Sequence, residues 1–234
     1  MKNLLSYCDI FRRSHLPRVV LKKEHQLNQK AISQNAMIVL NKLKDSGFQA
    51  YLVGGGIRDL LLGICPKDFD VVTNARPQQI KQIFRNCRLI GKRFRLAHVY
   101  FYRDTVEVAT FRAPLVSQEV DSPEVSMKDG MILRDNFYGS IEDDVWRRDF
   151  TVNALYYDPE KEVLLDFLGG FSDLKKKKLK IIGDVATRFQ EDPVRMLRAV
   201  RFCCKVKFSD GSWYSTVDAP NDKETTDGFS LPTL

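Results

Sequence analysis

Residues 51–75, YLVGGGIRDLLLGICPKDFDVVTNA, set three glycines between an apolar run and an Arg-Asp pair, then place two aspartates one residue apart. QAYLV reads as a strand, GGG as a turn, IRDLLLG as a short helix and DFDVV as a second strand. Glycines at a strand-to-helix turn let the backbone approach a ligand and aim N–H groups, backed by the helix dipole, into one concavity. That suits phosphate, although glycines also make plain turns, and the Gly-Lys-Ser/Thr of a P-loop is missing. Gly54 and Gly55 are the candidate cradle, and Arg58 can set a guanidinium on the same anion.

On a strand, Asp68 and Asp70 would face the same way, about 7 Å apart along the chain, and converge on hard cations. A solvated strand end is the plainer alternative. An aspartyl phosphatase also begins with such a pair, but Val72 stands where its threonine is expected. Glu107 in TVEVATF, flanked by Val106 and Val108, faces away from its apolar neighbours. It is either an exposed strand glutamate or a third ligand, and three carboxylates suit two Mg²⁺ ions in phosphoryl transfer.

Working outward, residues 1–30 are basic and poorly patterned, which predicts a loosely held arm. From Ala31 a helical pattern (Ile32, Ala36, Val39, Leu40, Leu43) runs to a stop at Gly47. Pro77 opens the helix PQQIKQIFRN; LAHVYFY and TVEVATF follow as strands. Interleaved strands and helices predict an α/β sheet with helical cover. Residues 113–146 hold eight acids against two bases, and read as a mobile acidic loop. A helix through RRDFTVNALYY, strands in EVLLDFLGG and LKIIG, and a helix in DPVRMLRAVRF come next. In the first of these helices, Phe150, Val152, Leu155 and Tyr156 would face the core and Arg147 water. Asn153 would share a face with Asp149. Residues 209–234 are polar, acidic and aperiodic, and are expected not to pack.

The 234 residues, 44% hydrophobic, can bury a core, and the net charge of +7 with a pI near 9.1 points to a polyanionic partner, nucleic acid first. Five cysteines without a CxxC pair read as reduced thiols. No apolar run approaches the roughly 20 residues of a membrane span. A cytoplasmic location with no membrane partner is expected.

GGGIRD, KDFDVVTNA, VEVATFR, RRDFTVNALYY and EDPVRMLRAVRF, in that order, resemble the bacterial poly(A) polymerase and CCA-adding tRNA nucleotidyltransferase family, the second class of polymerase-β-like nucleotidyltransferases. The resemblance runs from about Ala31 to Phe208. It implies an α/β (α+β) nucleotidyltransferase head with a mixed β-sheet over 31–168, then the start of a helical neck over 169–208. It implies that Asp68, Asp70 and Glu107 bind two Mg²⁺ ions, that Gly54, Gly55 and Arg58 hold the triphosphate of ATP, and that Arg148, Asp149 and Asn153 position ribose and phosphates. Asp192 and Arg195 would read the base. Independently, that pair lies three apart on a helix and offers an acceptor beside a rigid donor fork, although an N-cap and an ion pair would look the same.

Between Lys81 and Arg103 stand seven bases and no acid. Uncompensated cations of that density suit RNA phosphates, with Lys92, Arg93 and Arg95 as RNA-binding candidates. LIGKRFRLAHV also resembles the stretch that marks poly(A) polymerases within the family. The expected activity is therefore template-independent addition of AMP to RNA 3′ ends, with CCA addition as the alternative. The family continues into long helical segments where this chain does not. A truncated, inactive nucleotide- or RNA-binding fragment is therefore a third expectation, favoured if Met196, Leu197 and Val200 expose an apolar face.

Overall fold

Val53 at the end of strand β2 (Ala50–Val53) lies opposite Asp70 at the start of β3 (Asp70–Thr73) in an antiparallel pair. The turn between them opens helix α3 (Gly55–Leu61). This computed structural model describes residues 16–91, 95–102, 104–113, 125–128, 131–135 and 137–206.

The central sheet has eight strands in the order β1-β10-β9-β2-β3-β6-β5-β4. Its members are β1 (Arg18–Leu21), β4 (Cys87–Ile90), β5 (Leu96–Phe101), β6 (Asp104–Thr110), β9 (Leu155–Asp158) and β10 (Val163–Asp166), with β2 and β3 at the centre. The β3–β6 pair is parallel and its neighbours antiparallel, so the sheet is mixed, as the resemblance implies. Period-two alternation divides β3 to β6 between two faces. Val71, Val106, Val108, Ala97 and Val99 pack beneath helices α2 (Gln34–Asp45) and α4 (Pro77–Ile83), which contribute Val39, Leu40, Leu43 and Ile80. The opposite face carries Val53, Val72, Phe111 and Tyr156 against Ile141 and Val145 of α5 (Ile141–Arg147). Each fully buried Val or Leu side chain contributes about 1.5–3 kcal/mol, so α2 alone, with Val39, Leu40 and Leu43 buried beside Ala36, anchors the first face firmly.

Several expectations need correction. The loosely held arm is overturned from Arg18 onward. β1 pairs along its whole length with β10, and α1 (Lys22–His25) buries His25, whose Nδ1 accepts from the Leu27 amide at 3.0 Å. An edge strand needs only one inward residue, here the fully buried Val20, too weak a pattern to stand out from the basic background. Residues 1–15 of the arm lie outside the described residues. The acidic segment 113–146 is not a loop throughout. It includes a two-stranded hairpin, β7 (Val125–Lys128) with β8 (Met131–Asp135), and α5, whose Ser140 and Asp143 form a capping box.

RRDFTVNALYY is not one helix. α5 ends at Arg147, Thr151–Asn153 make a single 3₁₀ turn, and β9 follows with all four residues buried. A strand covered on both faces loses its alternation, so aromatic and aliphatic spacing there mimics a helix. LKIIG supplies only one bridge, Ile181 to Phe150. DFDVV starts its strand at Asp70, which leaves Asp68 in the approach to it. Strand β4 and helices α6 (Gly170–Lys175) and α7 (Val185–Glu191) have no counterpart in the expected elements, and α8 (Val194–Val206) completes the described chain. The tail at 209–234 lies outside the described residues.

Candidate active site

Gly54 adopts φ 76°, ψ −144°, a conformation essentially confined to glycine. A Cβ there would stand 3.1 Å from Asp70 Oδ2, and one on Gly56 would stand 2.9 Å from the Asp68 carbonyl oxygen. The glycines therefore bring the backbone turn against the aspartate segment. Asp70 is in register with Glu107 on the neighbouring parallel strand. The sheet thus brings together the two ends of the predicted carboxylate set.

Burial pushes the Asp70 carboxyl up to about 6, and the Glu107 charge adds to that; Arg148 opposes it, Asp68 raises it further and Arg198 opposes it again. Among the described residues, no three His, Cys, Asp or Glu side chains converge closely enough to hold a metal ion as they stand. The donor set nonetheless fits Mg²⁺. All three groups offer hard oxygens, their mutual repulsion is what a divalent cation relieves, and Asp68 and Glu107 are exposed with room to turn inward.

A cavity of about 260 Å³ lies over this point, lined by the acids Asp70, Glu107 and Asp144 and by Arg112, Arg147 and Arg148. Arg147 does not face water as expected. Burial and the charges of Arg112, Arg188 and Arg195 lower its pKa, yet a guanidinium stays charged at neutral pH. Burial likewise lowers that of Arg112. Three arginines gathered in one cavity with Asp70, Glu107 and Asp144 set cationic and anionic groups side by side.

Arg148 is aimed by its neighbours. Its Nε donates to Tyr156 Oη at 2.8 Å and its Nη2 to Asp144 Oδ2 at 2.9 Å, which leaves Nη1 as the nitrogen near Gly54. Tyr156 Oη in turn donates to Asp144 at 2.7 Å. Asp144 and Tyr156 were missed, because a helix acid and an apparent core tyrosine give no signal without the fold.

The remaining predicted residues form a second layer. Arg58 is buried, with Nε and Nη2 donating to Asp59 Oδ1 at 2.9 and 2.6 Å, and Nη1 to Asn153 Oδ1 at 2.7 Å. Asn153 Nδ2 donates to Asp149 Oδ1 at 3.1 Å, so these two do meet, though across a 3₁₀ turn rather than along a helix. Asp149 Oδ2 is 2.7 Å from Arg198 Nη2. Arg58 also lies 4.6 Å over the ring of Phe202. A charge-linked chain therefore runs from the glycine helix through the 3₁₀ turn to α8. Arg198 was missed; its signal was the spacing Arg195, Arg198, Phe202 on one helical face.

Asp192 sits between α7 and α8 rather than on a helical face. Arg195 is buried, and its Nη1 donates to Arg188 O at 2.7 Å and Glu191 Oε2 at 3.0 Å. The structure thus holds the arginine rigidly but does not present the two as a helical pair. Of the basic trio, Arg95 is exposed, while Lys92 and Arg93 lie outside the described residues.

Comparison with known proteins agrees with this architecture. The family described as poly A polymerase head domain matches residues 50–180. Poly(A) polymerase I of Haemophilus influenzae is 54% identical over 195 residues, covering 83% of this chain and 43% of that protein. The CCA-adding enzyme of Lactobacillus helveticus is 37% identical over 174 residues, 74% of this chain and 41% of that one. The crystal structure of the Bacillus stearothermophilus CCA-adding enzyme in complex with CTP superposes with a TM-score of 0.62 at 32% identity, over 75% of this chain and 40% of that one. The chain spans less than half the length of these relatives. With more than half of its residues matched by one head-domain family, the chain belongs to the poly A polymerase head-domain family.

Proposed function

We propose that the chain is the nucleotidyl-transferring head of a template-independent polynucleotide adenylyltransferase, which adds AMP from ATP to RNA 3′ ends. The observation that carries this reading is the cleft that Asp70 and Glu107 line together with Arg112, Arg147 and Arg148, beside the Gly54 turn. The 3′-oxygen would attack the α-phosphorus as the bond to the β-phosphate breaks, releasing pyrophosphate and the hydroxyl proton. Asp68, Asp70 and Glu107 would hold two Mg²⁺ ions, which lower the pKa of the attacking hydroxyl and neutralise the leaving phosphates.

The chain's own groups do the positioning. Arg148 Nη1 and the amides at Gly54 and Gly55 face the phosphates, and prearranged cations act strongly where charge develops. Arg58, Asp149 and Asn153 fix the turn and ribose side from behind. Asp192 and Arg195 select adenine, with Glu191 locking the guanidinium. Higher identity to a poly(A) polymerase than to a CCA-adding enzyme supports A addition, as does the basic string with Lys92, Arg93 and Arg95. A cytoplasmic setting goes with this reading; no described helix is long and apolar enough to cross a membrane.

The test is labelled ATP, Mg²⁺ and a generic RNA primer, with CTP and a tRNA lacking its end run in parallel. Ladders of A on generic RNA are expected, and Asp68→Ala or Asp70→Ala should lower transfer by about 10²–10³-fold, on the order of one essential electrostatic group. Additions confined to tRNA would assign CCA synthesis. The exposure of Val194, Met196, Leu197 and Val200 on α8 favours a second reading, in which the chain by itself binds nucleotide without turnover. ATP binding with no product would establish that one.

A further inference from the structure

We infer that Tyr100, braced by Arg88, is a stacking platform for a base of the single-stranded RNA whose 3′ end enters the carboxylate cleft. This rests on the adenylyltransferase reading and extends it to residues that neither motif nor resemblance assigns.

Register places Asp70 beside Glu107, Glu107 beside His98, and His98 beside Arg88. In-register residues on adjacent strands point to the same face. The four therefore form one row across β3, β6, β5 and β4, about 14 Å from end to end at the usual strand spacing. The row passes from acid to base: carboxylates in the cleft, His98 Nε2 at 3.6 Å from Glu107 Oε1, then an exposed arginine at the sheet edge. Tyr100 is two residues beyond His98 and on the same face. Its ring lies 5.9 Å beneath the Arg88 guanidinium and 6.3 Å from His98.

Helices α2 and α4 cover the other face, and α5 covers this one only towards Val53, Val72 and Tyr156. Tyr100 (37% exposed) and Ile90 (43%) are left open beside Leu96, which lines the cleft itself. A tyrosine and an arginine on an edge hairpin can serve simply as a cross-strand pair. Continuity with the cleft through Leu96, and the exposed Arg95 next to Leu96 in the chain, distinguish this one. Single strands are held by such a combination of aromatic faces and backbone-tracking cations. The distance from Glu107 to Arg88 is about 10 Å, two strand spacings, or roughly three stacked nucleotides.

The experiment uses the full chain and an RNA oligonucleotide with 2-aminopurine near its 3′ end, read by fluorescence quenching and anisotropy. Binding of a fluorescent ATP analogue is measured separately. Wild-type protein should quench the probe. Tyr100→Ala should lose the quench and bind RNA about 10-fold more weakly, Tyr100→Phe should keep both, and ATP-analogue binding should stay unchanged in each. Retention of quench and affinity by Tyr100→Ala, their loss in Tyr100→Phe, or absence of RNA binding in the wild type would each overturn the platform. Loss of ATP-analogue binding in the wild type, with quenching intact, would instead bring down the adenylyltransferase reading.

Discussion

Asp70 shows at the scale of one residue how a reactive site works against stability. Its ordinary carboxyl pKa of 3.8 rises to about 6 in the fold, chiefly through burial and then Glu107. A raised carboxyl pKa means that the fold favours the protonated form. Stability is then fully present below about pH 4 and is lost as pH rises through 6. Asp70→Asn should therefore unfold later than the wild type at pH 8, by about 1–2 kcal/mol once the neighbouring solvent is allowed for, and equally at pH 3.5. Thermal melts at the two pH values test this. A variant less stable at pH 8 would contradict it. Asp68, Asp70 and Glu107 were legible as candidates because carboxylates beside a glycine turn are chemically unusual. What was not legible was their unequal burial, which depends on α5 and Arg148 arriving from later in the chain.

At the scale of elements, α8 is docked by its inner face. Phe202 meets Phe150 edge to face at 5.6 Å, and Arg198 reaches Asp149. Arg198→Ala should loosen this helix, because it leaves the nine-tenths buried Asp149 carboxylate without its ion pair. Arg198 is half exposed, so the expected loss is about 1–2 kcal/mol, seen as faster hydrogen exchange over 185–206 and weaker ATP-analogue binding. Exchange unchanged in that span would show that Phe202 alone holds the helix. Elements with one clean period, such as α2 and β6, were readable from the residues. β9 was not, since burial on both sides erases alternation, and β1 was not, since an edge strand shows only one inward residue.

Over the whole molecule, α8 turns Val194, Met196, Leu197 and Val200 outward, with Leu197 72% exposed. Contiguous apolar surface of this kind drives association. Leu197→Lys should reduce concentration-dependent light scattering while leaving the melting midpoint within about 0.5 kcal/mol of the wild type, as expected of an exposed position. A lower midpoint would mean that the side chain packs after all.

The amino-acid sequence by itself determined the α/β alternation, the glycine turn, the carboxylates and the basic surplus, because each is set by local chemistry within a few residues. Only the tertiary structure decided that Asp70 lies beside Glu107, that Arg112, Arg147 and Arg148 line the same cavity, and that Arg198 joins the site from 49 residues beyond Asp149. Those contacts arise from strand order and register in a mixed sheet. They depend on which distant segments can bury their apolar faces together, and no local pattern carries that information.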